Sequence, residues 1–239
     1  MARRTCLVLF AFIMHTCAYI TPPTFTHTRI PSSILYSSPS TFKSHFVTLP
    51  VCTKSTLPTP PSPSSPDGSV NTYDLTSQVL DAVSSSTVTH GTVVVTTPHT
   101  TVGLCVNEYE QGLDSDLSSY LLNLAPIDSR HPIPSRRNPG VTYAHNDISS
   151  RPSQDPEWVG ETERCLENGW DVTDPETLKK WRDQEPVNAN AHLISILVGT
   201  SVTLSIVDAK LVLGEWQSIL MLEADGPRNR KVNVHITGC

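Results

Sequence analysis

Negative charge is missing from the first quarter of this chain. No Asp or Glu occurs before Asp67, although the 239 residues carry 23 of them. That absence excludes an acidic, solvated domain at the start, and the basic residues found there (Arg3, Arg4, Arg29, Lys43 and Lys54) point to an addressing region instead. Long apolar runs are scarce as well. Leu7–Met14 is too short to span a bilayer as a stable helix. The six cysteines form no CxxC pair, and Cys52, Cys105, Cys165 and Cys239 are scattered. A domain of this size needs no disulfide framework, so reduced thiols are the simpler assumption. No basic face interleaved with aromatics occurs, which excludes a nucleic-acid surface. The nine histidines show neither HExxH nor HxH spacing, so no local metal-ligand motif is present.

What the start does contain reads in two parts. Residues 1–18 place Arg3 and Arg4 before the apolar core and the small-residue end Thr16-Cys17-Ala18, a signal-peptide pattern. Residues 19–40 continue as a Ser/Thr/Pro-rich, acid-free leader of transit-peptide composition. Together they indicate a plastid bounded by extra membranes, with cleavage near Ala18-Tyr19. The alternative is a secreted protein with a mucin-like stalk. In either case the mature form has no membrane segment. Setting aside the five basic residues of this region leaves 12 basic against 23 acidic residues, a balance of −11 beside −6 for the whole chain.

A single domain is expected over 41–239. Val47, Leu49 and Val51 alternate as a first strand. Residues 54–69, rich in Pro and Ser, form a flexible loop. Asp74-Leu75-Thr76 opens a helix with Thr76 as N-cap and Val79, Leu80 and Val83 on one face. Thr92–Thr97 is a β-branched run, Pro98 breaks the ladder, and Val102, Leu104 and Val106 alternate as the next strand. Leu113, Leu117, Tyr120, Leu121 and Leu124 mark a stronger helix that Pro126 stops. Asp128 to Gly140 reads as an exposed loop. Residues 149–187 look like an acidic insertion with one short helix opened by Thr173-Asp174-Pro175-Glu176. Its tryptophans, Trp158, Trp170 and Trp181, form either a surface lid or a private core. Asn188–Leu197 gives another helix, ended by Gly199. Alternation at Val202, Leu204 and Ile206, then Ser218–Glu223, then Val232, Val234 and Ile236 completes a run of strands. The pattern is α+β: an antiparallel β-sandwich of about seven strands with two or three helices.

Three imidazoles, His99, His145 and His192, adjoin polar residues in separate elements, with Glu108 as a nearby base. They serve as catalytic groups, and three histidines suit a divalent metal such as Zn or Mg with an open position. Proton transfer and phosphate hydrogen bonding without a metal is the alternative use, and a structural role is the third. Thr100, Thr101, Asn107 and Ser201 supply small donors for substrate. Arg228 and Arg230 hold phosphate bidentately at a turn, or simply pair with Glu223 and Asp225. Trp216 stacks on a planar ring with Gln217 at its edge, or is core.

Several motifs then combine: His99-Thr100-Thr101 with Asn107-Glu108; Tyr143-Ala144-His145; Ala191-His192-Leu193 before Gly199-Thr200-Ser201; Leu213-Gly214-Glu215-Trp216-Gln217; and Asp225-Gly226-Pro227-Arg228-Asn229-Arg230. In this order, over most of Asp74 to Gly238, they resemble the YjbQ family, also called the secondary thiamine-phosphate synthase family. The resemblance implies a compact seven-stranded sandwich, a homotrimer with polar motifs near subunit boundaries, and a small phosphorylated heterocyclic substrate. It also implies a transferase activity coupling hydroxymethylpyrimidine diphosphate to a thiazole phosphate with release of pyrophosphate. A metal-dependent hydrolase using the three histidines, and a non-catalytic ligand-binding or assembly protein, are the competing readings. The long leader, the Pro/Ser loop and the insertion depart from compact members of the family.

Overall fold

The computed structural model describes residues 41–52, 70–153 and 160–239. The expected signal and leader segments, the 54–69 loop and Trp158 lie outside the described residues. Thr41–Cys239 forms one compact unit.

Among the described residues eight strands make two antiparallel sheets, so the architecture is α+β as the sequence pattern indicates, with one strand more than expected. The larger sheet has the order β1-β8-β3-β5-β6, built from β1 Lys43–Cys52, β3 Gly91–Thr96, β5 Ser201–Val207, β6 Lys210–Leu211 and β8 Asn229–Gly238. The smaller has β2 Asn71–Asp74, β7 Ser218–Glu223 and β4 Val102–Asn107 in the order β2-β7-β4. Five α-helices are described, more than the two or three anticipated: α1 Thr76–Ser86, α2 Gln111–Leu124, α3 Gly160–Glu167, α4 Pro175–Gln184 and α5 Ala189–Val198.

Alternation decides which face each strand buries. Val93 and Val95 of β3, Val232, Val234 and Ile236 of β8 and Ile206 of β5 point inward from the large sheet. They meet Val102 and Leu104 of β4 and Ile219 and Met221 of β7, with α1 closing the cluster. The small sheet is covered on its other face too. There Leu220 and Leu222 of β7 pack against Leu121 and Leu122 of α2 and Ile194 of α5. That double coverage explains why β7 is an unbroken apolar run rather than an alternating one.

Thr76 is not the cap of α1. Asp74 Oδ1 accepts the Thr76 backbone N–H at 2.8 Å, while Thr76 Oγ1 accepts from Ile219 N at 2.9 Å, tying the helix start to β7. For α4 the cap is Asp174, which accepts Thr177 N at 2.8 Å, with Pro175 in the first turn. The segment expected to be an insertion, 149–187, contains α3 as well as α4. Cys165, Val172 and Trp181, with Trp170 and Leu178 against them, form a cluster separate from the main core.

The chain passes between the sheets repeatedly, and two of these connections meet. Residues 97–101 carry the chain from β3 to β4, and residues 224–228 carry it from β7 to β8. They lie side by side, joined by Ala224 N donating to Thr101 O at 3.3 Å. Both crossings therefore sit at the same end of the sandwich, and the site is built there.

Candidate functional site

Between these crossings and the start of α5 lies a cleft of about 250 Å³, lined by Pro98, His99, Thr100, Thr101, Pro186, Asn188, His192, Asp225, Arg228 and Arg230. Its floor is an ion pair. Glu223, the last residue of β7, and Arg230, the second of β8, are both buried. Arg230 Nε and Nη2 donate to the two Glu223 carboxylate oxygens, and Nη2 also donates to Thr101 Oγ1 at 3.0 Å. The second Glu223 task is backbone: its Oε1 accepts Asp225 N at 2.8 Å.

Each neighbour of this pair then orients a cleft group. Lys231 N, next along β8, donates to His99 Nε2 at 2.9 Å, which fixes His99 with its proton on Nδ1 when neutral. Asp225 Oδ2 receives Asn188 Nδ2 at 2.8 Å and Arg228 Nη2 at 2.9 Å, and Arg228 Nε donates to Asp225 O at 2.8 Å. A carboxylate only accepts, so the Asn188 amide is oriented: Nδ2 faces Asp225, and Oδ1 is left buried beside His145 with no hydrogen-bond donor in line.

His145 and His192 meet edge to face, their ring centroids 4.8 Å apart and inclined at 64°. All three imidazoles are held below the usual histidine pKa, each chiefly by desolvation. Arg230 adds to this at His99, and Arg151 and His192 add to it at His145. At His192 the Asp225 carboxylate and the Thr100 carbonyl partly oppose the shift. The rings are therefore neutral at neutral pH, able to accept a proton or to donate one N–H hydrogen bond.

Of the residues singled out from the sequence, the fold gathers His99, Thr100, Thr101, His192, Arg228 and Arg230 on the cleft, with His145 behind His192. It does not gather Asn107, Glu108, Trp216 or Gln217. Asn107 pairs with Ser218 at the far end of the small sheet, whereas Val102 pairs with Glu223 at the cleft end. A strand rises about 3.3 Å per residue, so these ends are about 17 Å apart. Glu108 is thus not a base beside the histidines of its own protomer. Trp216 is neither core nor a wall of this cleft: it is 70% exposed, and Gln217 closes a local turn by accepting Gly214 N at 2.8 Å. Ser201 opens β5 opposite Thr96, exposed and outside the cleft lining.

The three histidines do not make a metal site within one protomer. Among the described residues no three His, Cys, Asp or Glu side chains are placed to hold an ion, and His99 Nε2 is already engaged by Lys231 N. At the arginine turn both expected pairings form: Arg228 lies half-exposed on Asp225, whereas Arg230 is buried on Glu223.

Sequence reasoning missed two carboxylates. Glu223 stood only as a surface partner for the arginines, and Asp128 was placed in an exposed loop, yet both are fully buried. The available signal for Glu223 was its place at the end of an otherwise unbroken apolar strand.

Residues 64–153 and 153–239 match the model of a family described as UPF0047 protein YjbQ-like. A UPF0047 protein of Archaeoglobus fulgidus is 33% identical over 165 residues, covering 69% of this chain and 90% of that protein. Another, from Methanothermobacter thermautotrophicus, is 28% identical over 169 residues, covering 71% and 84%. Among solved structures, a hypothetical protein of Aeropyrum pernix aligns with a TM-score of 0.52 at 25% identity over 81% of this chain and 98% of that one. An uncharacterized conserved protein of the YjbQ/UPF0047 family from Clostridium acetobutylicum aligns with a TM-score of 0.50 at 26% identity, covering 80% and 98%.

Proposed function

Because this chain belongs to the YjbQ-like UPF0047 family, we propose that its cleft binds a small phosphorylated heterocycle and supports thiamine-phosphate synthase chemistry. In that reaction the bond between the pyrimidine methylene carbon and the diphosphate oxygen breaks. The thiazole ring nitrogen supplies the electron pair for the new C–N bond, and pyrophosphate leaves. No proton has to be removed from either partner, so the demand on the protein is stabilisation of the departing pyrophosphate.

The observation that carries this reading is the convergence of His99, Thr100, His192 and Arg228 on one cleft. Arg228, half-exposed at the rim, offers a charge-assisted hydrogen bond to phosphate oxygen. Neutral His99, its Nε2 accepting from Lys231 N, keeps an N–H on Nδ1 to offer the same group, and Thr100 adds a hydroxyl. A cleft of about 250 Å³ lies near the lower end of ordinary ligand pockets, which run from roughly 300 to 1,000 Å³. It suits one small heterocycle rather than a polymer. The hydrolase reading is less favoured, because the histidines do not assemble a ligand set in one protomer.

We also propose a homotrimer, and delivery to a plastid by residues 1–40, with secretion as the alternative. Light scattering on the purified protein reads the first, with three protomers expected. Localisation of a full-chain fluorescent fusion reads the second.

The activity test uses purified full chain with both heterocyclic substrates. Thiamine phosphate and pyrophosphate are expected in equal amounts, and His192→Ala is expected to lower kcat by about 100-fold, the scale of losing one polar group that stabilises developing negative charge. Binding of the diphosphate without either product would establish the ligand-binding reading instead. Release of phosphate that depends on added zinc would establish the hydrolase reading.

A further inference from the structure

We propose that Asp128 is a positioning residue for the His145–His192 pair, holding the segment that carries one imidazole against the helix that carries the other. The inference deepens the functional reading above and rests on it only for the activity arm of its test.

Asp128 lies four residues beyond the end of α2 and is fully buried. Its carboxylate accepts on both oxygens. Oδ1 takes Arg130 N at 2.8 Å and Arg130 Nε at 3.0 Å, while Oδ2 takes Arg130 Nη2, Tyr143 N and Asn146 Nδ2, each at 2.9 Å. These donors hold the carboxyl far below the usual carboxylate range, the Arg130 side chain contributing most. Five accepted bonds on a buried, ionised group make its orientation, and that of every donor, close to obligatory.

The last of these donors leads to the histidines. Since Asp128 can only accept, Asn146 must turn Nδ2 toward it, which leaves Asn146 Oδ1 to accept Ala189 N at 3.0 Å. Ala189 opens α5, where backbone N–H groups have no partner inside the helix, so Asn146 serves as an external cap. His145 precedes Asn146, and His192 lies three residues beyond Ala189. One hydrogen bond, from Ala189 N to Asn146 Oδ1, thus joins the turn bearing one ring to the first turn of the helix bearing the other, a second, to Asp128, fixes the amide that makes it, and the rings meet at 4.8 Å.

The influence is geometric rather than electrostatic. Desolvation chiefly lowers both rings; the groups that add to or oppose it are Arg151, His192, Asn188 and Glu185 at His145, and Asp225, Arg151 and the Thr100 carbonyl at His192. Asp128 acts on neither. An Asn at position 128 has one acceptor oxygen where the carboxylate has two, so its amide N–H₂ must face a donor. The Asn146 anchor is then lost from one side or the Arg130 clamp from the other.

Two variants of the full chain, Asp128→Asn and Asn146→Ala, test this by two readouts. The first is the nuclear Overhauser contact between the ring protons of His145 and His192, expected in the parent protein and lost in both variants. The second is kinetic: kcat is expected to fall by about 100-fold with KM within about twofold, since displacement by about 1 Å costs on that order. If Asp128→Asn does not fold, Asn146→Ala, which leaves the Asp128–Arg130 pair in place, carries the test. A folded variant that keeps the ring contact overturns the proposal and leaves Asp128 as a staple of its own loop. If the parent protein forms no thiamine phosphate, the functional reading fails while the ring contact still decides this one.

Discussion

Arg230 reaches from the start of β8 to Glu223 at the end of β7, and the two close a buried ion pair on which the rest of the cleft is hung. Removing one partner of such a pair leaves the other charge buried and unmatched, a loss of about 3–5 kcal/mol. Glu223→Gln keeps the shape and removes the charge, so urea denaturation is expected to show a stability loss of that order. A loss under about 1 kcal/mol, the range of exposed pairs, would show that Arg230 reaches solvent.

A second expectation concerns pH. His99, His145 and His192 all have folded pKa values lowered from 6.5. Between the folded and unfolded values the unfolded chain binds more protons, so stability rises with pH through that window and levels off above it. Lowering the pH from 7.5 to about 5.5 is therefore expected to reduce the denaturant midpoint, at pH values where ordinary carboxylates stay ionised. His192→Gln should flatten the slope. Equal midpoints at the two pH values would contradict the burial of these rings.

Gly103 sets how closely α5 approaches β4. A Cβ added there would lie 2.6 Å from Val198 Cγ1 and 2.7 Å from Val198 Cβ. The same contact is stitched by Ser195 Oγ donating to Val102 O at 2.8 Å and Leu104 N donating to Gly199 O at 2.9 Å. Gly103→Ala should push away the helix carrying His192, costing about 1–3 kcal/mol as overpacking does. Thermal unfolding reads the stability, and the His145–His192 ring contact reads the displacement. Unchanged values of both would mean that Val198 rotates out of the way at no cost.

Much of the fold was legible because it is written in local periodicity. Val102, Leu104 and Val106 alternate, as do Val232, Val234 and Ile236, and each set became a strand. The stripe from Leu113 to Leu124 became α2. Pro98 did mark the bend, although the sequence did not show that the bend passes from one sheet to the other. The site was only half legible. His99 and His192 announce themselves by their polar neighbours, but Thr101 and Arg230 are 129 residues apart, and no local pattern encodes their contact. The same limit hid Asp128, whose Asn146 partner is 18 residues away in a loop with no regular period. Glu108 and Trp216 misled for the converse reason. They lie near cleft residues in the sequence, but a fully extended strand carries each of them to the opposite end of the sheet.

The central claim is that the cleft between the two sheet crossings and α5 receives a phosphorylated ligand. Calorimetric titration of the full chain with pyrophosphate tests it most directly, comparing the parent with Arg228→Ala at the cleft and Glu108→Gln at the far end of β4. Loss of one charge-assisted hydrogen bond, about 1.5–3 kcal/mol, predicts a Kd raised by about tenfold or more for Arg228→Ala and unchanged for Glu108→Gln. Equal affinity in all three proteins, or a loss confined to Glu108→Gln, would contradict it.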